Sequence, residues 1–428
     1  MTYEEALAYL HGLQRFGMKP GLGRTVELLR RVGRPDRECG RIVHITGTSG
    51  KGSVSALVEA ALRAAGHRVG LYTSPSLERF TERMQVNRVD VPQGELAELV
   101  SLVEPHVSAM VAEGHEQPTE FEVTTVVAFL WFARRQVDYL VLEVGLGGRF
   151  DATTAIERPI ITCITNIGLD HTQWLGPTHE AIASDKAGII KPGVPCVTGT
   201  DHQGALAVIR EIALANDAVL LEVTSDDWDV VSFGPEGQVL DLLGARGWYR
   251  GVRLALLGRH QAANAAVALR VLELAGVGEE QIRAGFTGVV WPGRLEAITL
   301  ANGRQVLLDA AHNPAKCEAL VQAVREYFPD RRVLLVLGAL ADKEVADMVR
   351  PLLGLADRVW VTTPDSPRRM TAADLAEVCR QEGREVTVID DVAGAVGAAI
   401  AEATEEELVL VTGSFYTVGP ARRNLLIR

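Results

Sequence analysis

Cysteine is scarce. Five residues (Cys39, Cys163, Cys196, Cys317, Cys379) are scattered along 428 positions, and no Cys-x-x-Cys pair occurs. That distribution predicts a reducing, cytoplasmic setting without a structural zinc, and it argues against a disulfide scaffold. Aromatic residues make up only 5%, beside 47% hydrophobic and 23% charged residues. Such a composition is ordinary for a soluble globular chain and excludes a disordered or fibrous one. Long apolar runs are missing too. Val333–Ala341 is among the longest, and it is strand-sized, so no membrane span is expected. The opening MTYEEALAYLHGL carries acidic residues and no cleavage site after an apolar core. It reads as a helix of the mature protein rather than a signal peptide. Positive charge is in deficit: 43 Lys and Arg face 55 Asp and Glu, a balance of −12. That argues against a nucleic-acid or anionic-membrane partner, while leaving room for a small polyanion in a local site. Glycine is abundant, at 41 residues, but has no period, which excludes collagen and points to tight turns.

What is present is an alternation of strands and helices. Ile42–Ile45, Val69–Tyr72, Asp138–Val144 and Ile160–Ile164 are apolar and strand-length, and a helix is expected from Ser53 to Ala65. An irregular segment, Thr73–Val91, follows the second strand. Residues 218–256, with Trp228 and Trp248 and several glycines, predict a small antiparallel appendage. After Trp291–Glu296 the rhythm restarts, with strands at Gln305–Asp309, Arg332–Leu337, Arg358–Thr362, Glu385–Ile389 and Glu407–Val411. Helices are expected from Pro314, Asp342, Ala372 and Val392. The expected fold is α/β. A P-loop-type domain with a mostly parallel sheet spans residues 1–296, and a smaller doubly wound, Rossmann-like domain spans 297–428.

The strongest local signal is His44–Ser53, HITGTSGKGS. A strand ends, glycines turn the chain and a helix begins, which gathers backbone N–H groups and a helix N-terminus around a phosphate. Gly47, Thr48, Ser49, Gly50, Lys51, Gly52 and Ser53 form this candidate ATP site. Lys51 is placed for the β- and γ-phosphates and Ser53 for Mg²⁺. The match is imperfect: Gly47 to Gly50 is short, and Gly52 stands where Ser or Thr usually follows the lysine. A second glycine cluster, Glu143–Asp151 (EVGLGGRFD), fails as a dinucleotide fingerprint because Phe150 occupies the third glycine position. This argues against a nicotinamide-dependent dehydrogenase. Glu143, at a strand's C-terminal end, is instead placed to hold Mg²⁺.

Together with these two clusters, TSP at 73–75, TER at 81–83, ITNIGLDHT at 164–172, DKAGIIKPG at 185–193, HQAANA at 260–265, WPGR at 291–294, LDAAHNP at 308–314, GALADKE at 338–344 and VTGSFYTVG at 411–419 occur in order. With the opening Leu13–Arg24 (LQRFGMKPGLGR), they resemble the folylpolyglutamate synthase/dihydrofolate synthase family of murein-ligase-type ATP-dependent amide ligases. The resemblance runs nearly end to end. It implies that ATP phosphorylates a carboxylate of dihydropteroate or a folate, that L-glutamate attacks the acyl phosphate, and that phosphate leaves. It also implies a central ATP-binding domain and a C-terminal glutamate-ligase domain.

The resemblance implies two Mg²⁺ sites. Glu143 bridges them, His171 and Lys186 belong to the second, and Ser53 and Ser74 compete for the first. It implies that Lys186 is carbamylated by CO₂, since a lysine ammonium cannot ligate a cation. Asn264 resembles an adenine-side contact at a helix start, Arg294 a phosphate-reaching arginine, and Asp309 a ribose-side contact. His312 serves phosphate or the incoming glutamate. Ser414 and Tyr416 are either glutamate contacts or ordinary loop structure. Thr73–Asn87 resembles the mobile loop beside the pterin site. Three positions depart from the family pattern: Ser76 for His, Thr154 for Asn and Asp185 for Glu. A cytoplasmic monomer acting on small molecules is expected, with ATP bound between the domains and closure excluding water. Two rivals remain: a murein-type ligase with a non-folate acceptor, and a regulatory P-loop NTPase. With the phosphate loop only some 45 residues in, the N-terminal nucleotide-sugar domain usual in cell-wall ligases is not expected.

Overall fold

The computed structural model describes residues 1–16, 20–341 and 345–427. The first sheet holds eight strands: β1 (Arg41–Thr46), β2 (Val69–Tyr72), β3 (Met84–Val86), β4 (Val89–Asp90), β5 (Tyr139–Glu143), β6 (Ile161–Ile164), β7 (Cys196–Thr198) and β8 (Leu220–Glu222). Their order is β4-β3-β2-β5-β1-β6-β7-β8. β2, β5, β1, β6, β7 and β8 run parallel, with the hairpin β3–β4 antiparallel at one edge. Every position of β2, β5 and β6 is buried, as expected of parallel strands covered on both faces. Val43 and Ile45 turn to a core shared with helices Lys51–Ala64, Arg259–Leu274 and Glu279–Gly288, while Ile42 turns to helices Tyr3–Gly12, Gln93–Ala112 and Glu120–Arg134.

A three-stranded antiparallel sheet follows: β9 (Trp228–Gly234), β10 (Gly237–Gly244) and β11 (Gly247–Leu254). Leu240, Leu242, Tyr249, Val252 and Leu254 pack into the core around helix Arg259–Leu274, so this appendage is part of the first core. The second large sheet comprises β12 (Glu296–Thr299), β13 (Gln305–Leu308), β14 (Arg332–Leu337), β15 (Arg358–Val361), β16 (Thr387–Val388) and β17 (Glu407–Thr412). Its order is β12-β13-β17-β14-β15-β16, parallel except for β12.

Four local expectations change. The helix after the phosphate loop starts at Lys51, not Ser53, because Gly50 takes a left-handed turn (φ 80°) and so ends the loop earlier. The segment Thr73–Val91 is not irregular throughout; it contains β3 and β4. β12 is a strand that the sequence pattern does not announce, and it begins at Glu296. The strand expected over Glu385–Ile389 shrinks to two exposed edge residues, β16. The helix expected from Asp342 is described from Val345; residues 342–344, with the end of GALADKE, and 17–19, within Leu13–Arg24, lie outside the described residues.

Candidate active site

The site lies where the strands of both large sheets end. β1 runs into the phosphate loop, flanked by β5, which ends on Glu143, and β6, which leads to Thr165–His171. Three of the loop's glycines are required by close approach. A Cβ on Gly47 (φ 152°) would overlap the Thr165 hydroxyl, and one on Gly50 would overlap Asn264 Oδ1. On Gly52 it would fall 2.6 Å from the Trp291 ring. That ring explains why no Ser or Thr follows Lys51. Asn166 takes two of the N–H groups expected to cradle phosphate: Thr48 N donates to its carbonyl (3.0 Å) and Ser49 N to its Oδ1 (2.8 Å). The first helical turn, Lys51–Ser53, has N–H groups with no helical acceptor, so it is the anion-facing part of the loop. Asn264 lies one turn into helix Arg259–Leu274 rather than at its start, against Gly50.

Two lysines converge on one oxygen. Lys51 Nζ and Lys186 Nζ each donate to the Gly47 carbonyl at 3.0 Å. Lys186, the last residue of helix His179–Lys186, is only 3% exposed. Burial, then the Lys51 charge, pulls its pKa down to about 7. Glu143 is 4% exposed, and burial pushes it up to about 7. Lys51, a hydrogen bond from the Ser74 amide and Arg294 act against that rise.

The loop after Glu143 is held from within. Asp151 accepts from Leu146 N (2.9 Å), Thr153 N (3.0 Å) and the Thr153 hydroxyl (2.6 Å). Having given its proton to Asp151, the Thr153 oxygen accepts from His44 Nε2 at 2.9 Å. The departures Thr154 and Asp185 belong to this scaffold. The Thr154 hydroxyl donates to Gly148 O (2.7 Å), and Asp185 Oδ1 accepts from Gly148 N (2.8 Å). A side chain at Gly147 would overlap Asp185, so little room exists there for a longer carboxylate.

The second sheet supplies the opposite wall. Arg294 lies over the Phe415 ring (4.7 Å) within the field of Asp309 and Glu143. Asp309 accepts from Leu295 N (2.9 Å) and Ala311 N (2.8 Å), so its first role is to hold the chain around Arg294. His312 Nδ1 meets the Ala310 carbonyl at 2.7 Å; donating there, it leaves Nε2 to accept from Lys316 Nζ at 3.2 Å. Lys316 in turn lies 3.8 Å from Asp170, which is 3.8 Å from the half-exposed His171 ring. His171 and His312, from different sheets, are thereby linked through Asp170 and Lys316. The Ser414 hydroxyl accepts from Tyr416 N at 3.0 Å at the start of the last helix, while Tyr416 is exposed.

Among the described residues no three His, Cys, Asp or Glu side chains form a ready metal cage. The structure brings Lys51, Glu143, Lys186, Arg294 and Asp309 into one electrostatic neighbourhood, with Asn264 against the loop and Ser74 on Glu143. Sequence reasoning misses Thr165, Asn166, Trp291 and Lys316. The first three sit inside motifs already singled out, ITNIGLDHT and WPGR, and the fourth has no sequence signal.

The Mur ligase middle domain matches residues 45–272, and the Mur ligase glutamate ligase domain matches residues 293–415. A dihydrofolate synthase/folylpolyglutamate synthase from Bacillus subtilis is 36% identical over 435 residues, covering 99% of each chain. Among solved structures, a folylpolyglutamate synthase from Thermotoga maritima is similar with a TM-score of 0.89 at 36% identity, over 99% of this chain and 96% of that one. The Mycobacterium tuberculosis folylpolyglutamate synthase complexed with ADP and AMPPCP has a TM-score of 0.87 at 32% identity, over 98% of each chain.

Proposed function

The chain belongs to the dihydrofolate synthase/folylpolyglutamate synthase family of Mur ligases and is an ATP-dependent ligase of L-glutamate and folate, and we propose that its cleft runs the reaction through an acyl phosphate. The observation that carries the reading is the convergence of Lys51 and Lys186 on the Gly47 carbonyl beside Glu143. ATP lies with its phosphates on the first turn at Lys51–Ser53 and between Lys51 and Arg294. A carboxylate oxygen of the acceptor attacks the γ-phosphorus, and the bond to the β-bridging oxygen breaks, releasing ADP. The free amine of glutamate, its proton shed to water, then attacks the acyl carbon. The amide bond forms and phosphate leaves with the C–O bonding electrons. Asn264 faces the adenine side, Asp309 the ribose side, and His312 the phosphate or the glutamate.

The donor set fits Mg²⁺ in part. A buried carboxylate (Glu143), an imidazole (His171) and a hydroxyl (Ser53 or Ser74) suit a hard cation that keeps several waters. The Ser74 amide on Glu143 favours Ser74 as the neighbour of the first ion. When bound, Mg²⁺ offsets the charge of the transferred phosphate. Lys186 as an ammonium does not fit. At a pKa of about 7, however, half of it is a neutral amine at neutral pH, the form whose nitrogen adds to the carbon of CO₂ and sheds a proton to water, giving a carbamate with oxygen donors.

No helix of the described residues is long and apolar enough to cross a membrane. We place the enzyme in the cytoplasm as a monomer with domains 1–296 and 297–428. The test is ATP-dependent incorporation of labelled glutamate, with dihydropteroate and tetrahydrofolate monoglutamate compared as acceptors. Incorporation into both makes the enzyme bifunctional. ATP turnover that needs no glutamate, with incorporation into neither, overturns the ligase reading and favours a regulatory NTPase.

A further inference from the structure

One guanidinium of the last helix, Phe415–Ile427, grips two segments of the active-site wall. Arg422 Nη1 donates to Glu78 Oε1 at 2.7 Å, and Arg422 Nε donates to both oxygens of Glu296 at 2.9 Å. The triad is enclosed: the side chains are 5% (Glu78), 19% (Arg422) and 15% (Glu296) exposed. Neighbouring contacts lock the same junction. Arg423 donates to the Glu78 carbonyl at 2.9 Å. Leu77 packs into the apolar core formed by β13, β14, β17 and the last helix. Gly419 is required here, because a Cβ there would overlap the Leu77 carbonyl.

Each gripped segment carries a group that acts on Glu143. Four residues before Glu78 is Ser74, whose amide donates to the Glu143 carboxylate. On the other arm, Glu296 also accepts from Gly293 N at 2.9 Å, and Asp309 accepts from Leu295 N at 2.9 Å. Ala310 N donates to Gly293 O at 3.0 Å. The backbone on both sides of Arg294 is therefore clamped, with Leu295 held in a left-handed conformation (φ 46°). Arg294 faces Glu143 and Asp309.

We propose that Arg422 is a positioning residue for the ligase reaction: by holding Glu78 and Glu296 at once, it aligns Ser74 and Arg294, from two separate segments, on Glu143. The proposal rests on the ligase reading, because alignment is meaningful only for a reaction at this site. A lysine in its place reaches one carboxylate but cannot span both as a planar fork does. Methionine leaves Glu296 without its guanidinium and Glu78 with only that of Arg423, 3.8 Å away.

The experiment compares full-length Arg422→Met, Arg422→Lys, Glu78→Gln, Glu296→Gln and the double glutamine variant. It measures kcat, KM for glutamate, ADP affinity by calorimetry and thermal unfolding. Wild-type glutamate-dependent turnover is measured first; its absence sinks the ligase reading itself and is distinct from any result on the variants. Arg422→Met is expected to lower kcat about ten-fold or more while glutamate KM and ADP affinity stay within about two-fold. Arg422→Lys is expected to regain part of that loss. The double glutamine variant is expected to fall no further than Arg422→Met, since all three side chains act as one unit. Should Arg422→Met fail to fold, the two single glutamine variants, which keep the side chain's shape and one acceptor oxygen, carry the same comparison. Wild-type kcat in Arg422→Met or in both glutamine variants overturns the proposal. So does a loss that merely follows the folded fraction, or glutamine losses that multiply beyond Arg422→Met.

Discussion

Lys186→Met in protein free of nucleotide, metal and CO₂ separates what the site needs for chemistry from what it costs the fold. Lys186 titrates near 7 in the folded chain against an ordinary value of 10.5. The unfolded chain thus binds a proton that the folded chain does not between those limits, and stability rises with pH from about 7 to 10.5. Below that window the folded protein carries a buried ammonium. The difference of about 3.5 units, at roughly 1.4 kcal/mol each, amounts to about 5 kcal/mol, and about 4 kcal/mol still applies at pH 7. Methionine has nearly the same length and no charge. Its hydrogen-bond loss is small, about 1 kcal/mol, because Lys51 still donates to the Gly47 carbonyl. The variant is therefore expected to be more stable than wild type by about 3 kcal/mol at pH 6.5 to 7, with the advantage fading toward pH 10. It is also expected to have no measurable ligase activity. Denaturant unfolding at several pH values, with CO₂-free buffer and chelator, measures the stability. A variant less stable than wild type at pH 6.5, or an advantage that does not shrink as pH rises, refutes the reasoning.

Glu143 works in the opposite sense. Raised from 4.5 to about 7, it lends stability that is full below 4.5 and is lost as pH rises through about 7. Wild type without ligands is thus expected to have a stability minimum near neutrality, and Glu143→Gln to lose the acidic limb of that curve in the same unfolding series. Gly52→Ser brings the loop nearer the common phosphate-loop pattern but drives a Cβ to 2.6 Å from the Trp291 ring. It is expected to destabilise by about 1–3 kcal/mol and to be relieved by Trp291→Phe, as read by thermal unfolding. Nucleotide analogue with acceptor is expected to draw the two sheets together, seen as a smaller radius of gyration in small-angle scattering; no change at saturation counts against closure.

The phosphate loop is legible in the sequence because its glycines and lysine sit between a buried strand and a helix, a purely local arrangement. The helix start is less legible. Ser53 has the chemistry of a cap, but Gly50 in a left-handed turn ends the loop first. β12 escapes because Glu296–Thr299 is an antiparallel edge strand without a buried run, and β3 and β4 because they are two or three residues long, while β16 is announced by the sequence but only two residues of it pair. Arg294 and Asp309 stand out through their motifs. Their partners do not: Lys316 reaches Asp170, and Arg422 reaches Glu78, only through the packing of elements around one sheet against those around the other, and nothing in their local sequence marks them. Thr154 and Asp185 show the reverse case. In the sequence they stand out only as departures from the family pattern, yet both hold Gly148 and serve the scaffold.

A net charge of −12 and a reaction among anions pull in opposite directions, and the cleft meets this by pairing rather than by a bare excess of cations. Arg294 faces Asp309 and Glu143, while Lys186 lies within the fields of Asp185, Asp170 and Asp151. Compensated charges produce little long-range attraction, so polyanions that do not fit gain nothing by approaching an acidic surface. In the proposed reaction the transferred phosphate is then neutralised by short contacts, with Lys51, the first-turn N–H groups and Arg294 proposed to supply them. Short contacts are steep in distance and useless when misaligned. That is the physical reason for clamping Gly293–Glu296 from three directions, through Glu296, Asp309 and Arg422, while Trp291 from the same segment presses on Gly52 of the phosphate loop. One short junction thereby sets the spacing between the Gly47–Ser53 loop and Arg294.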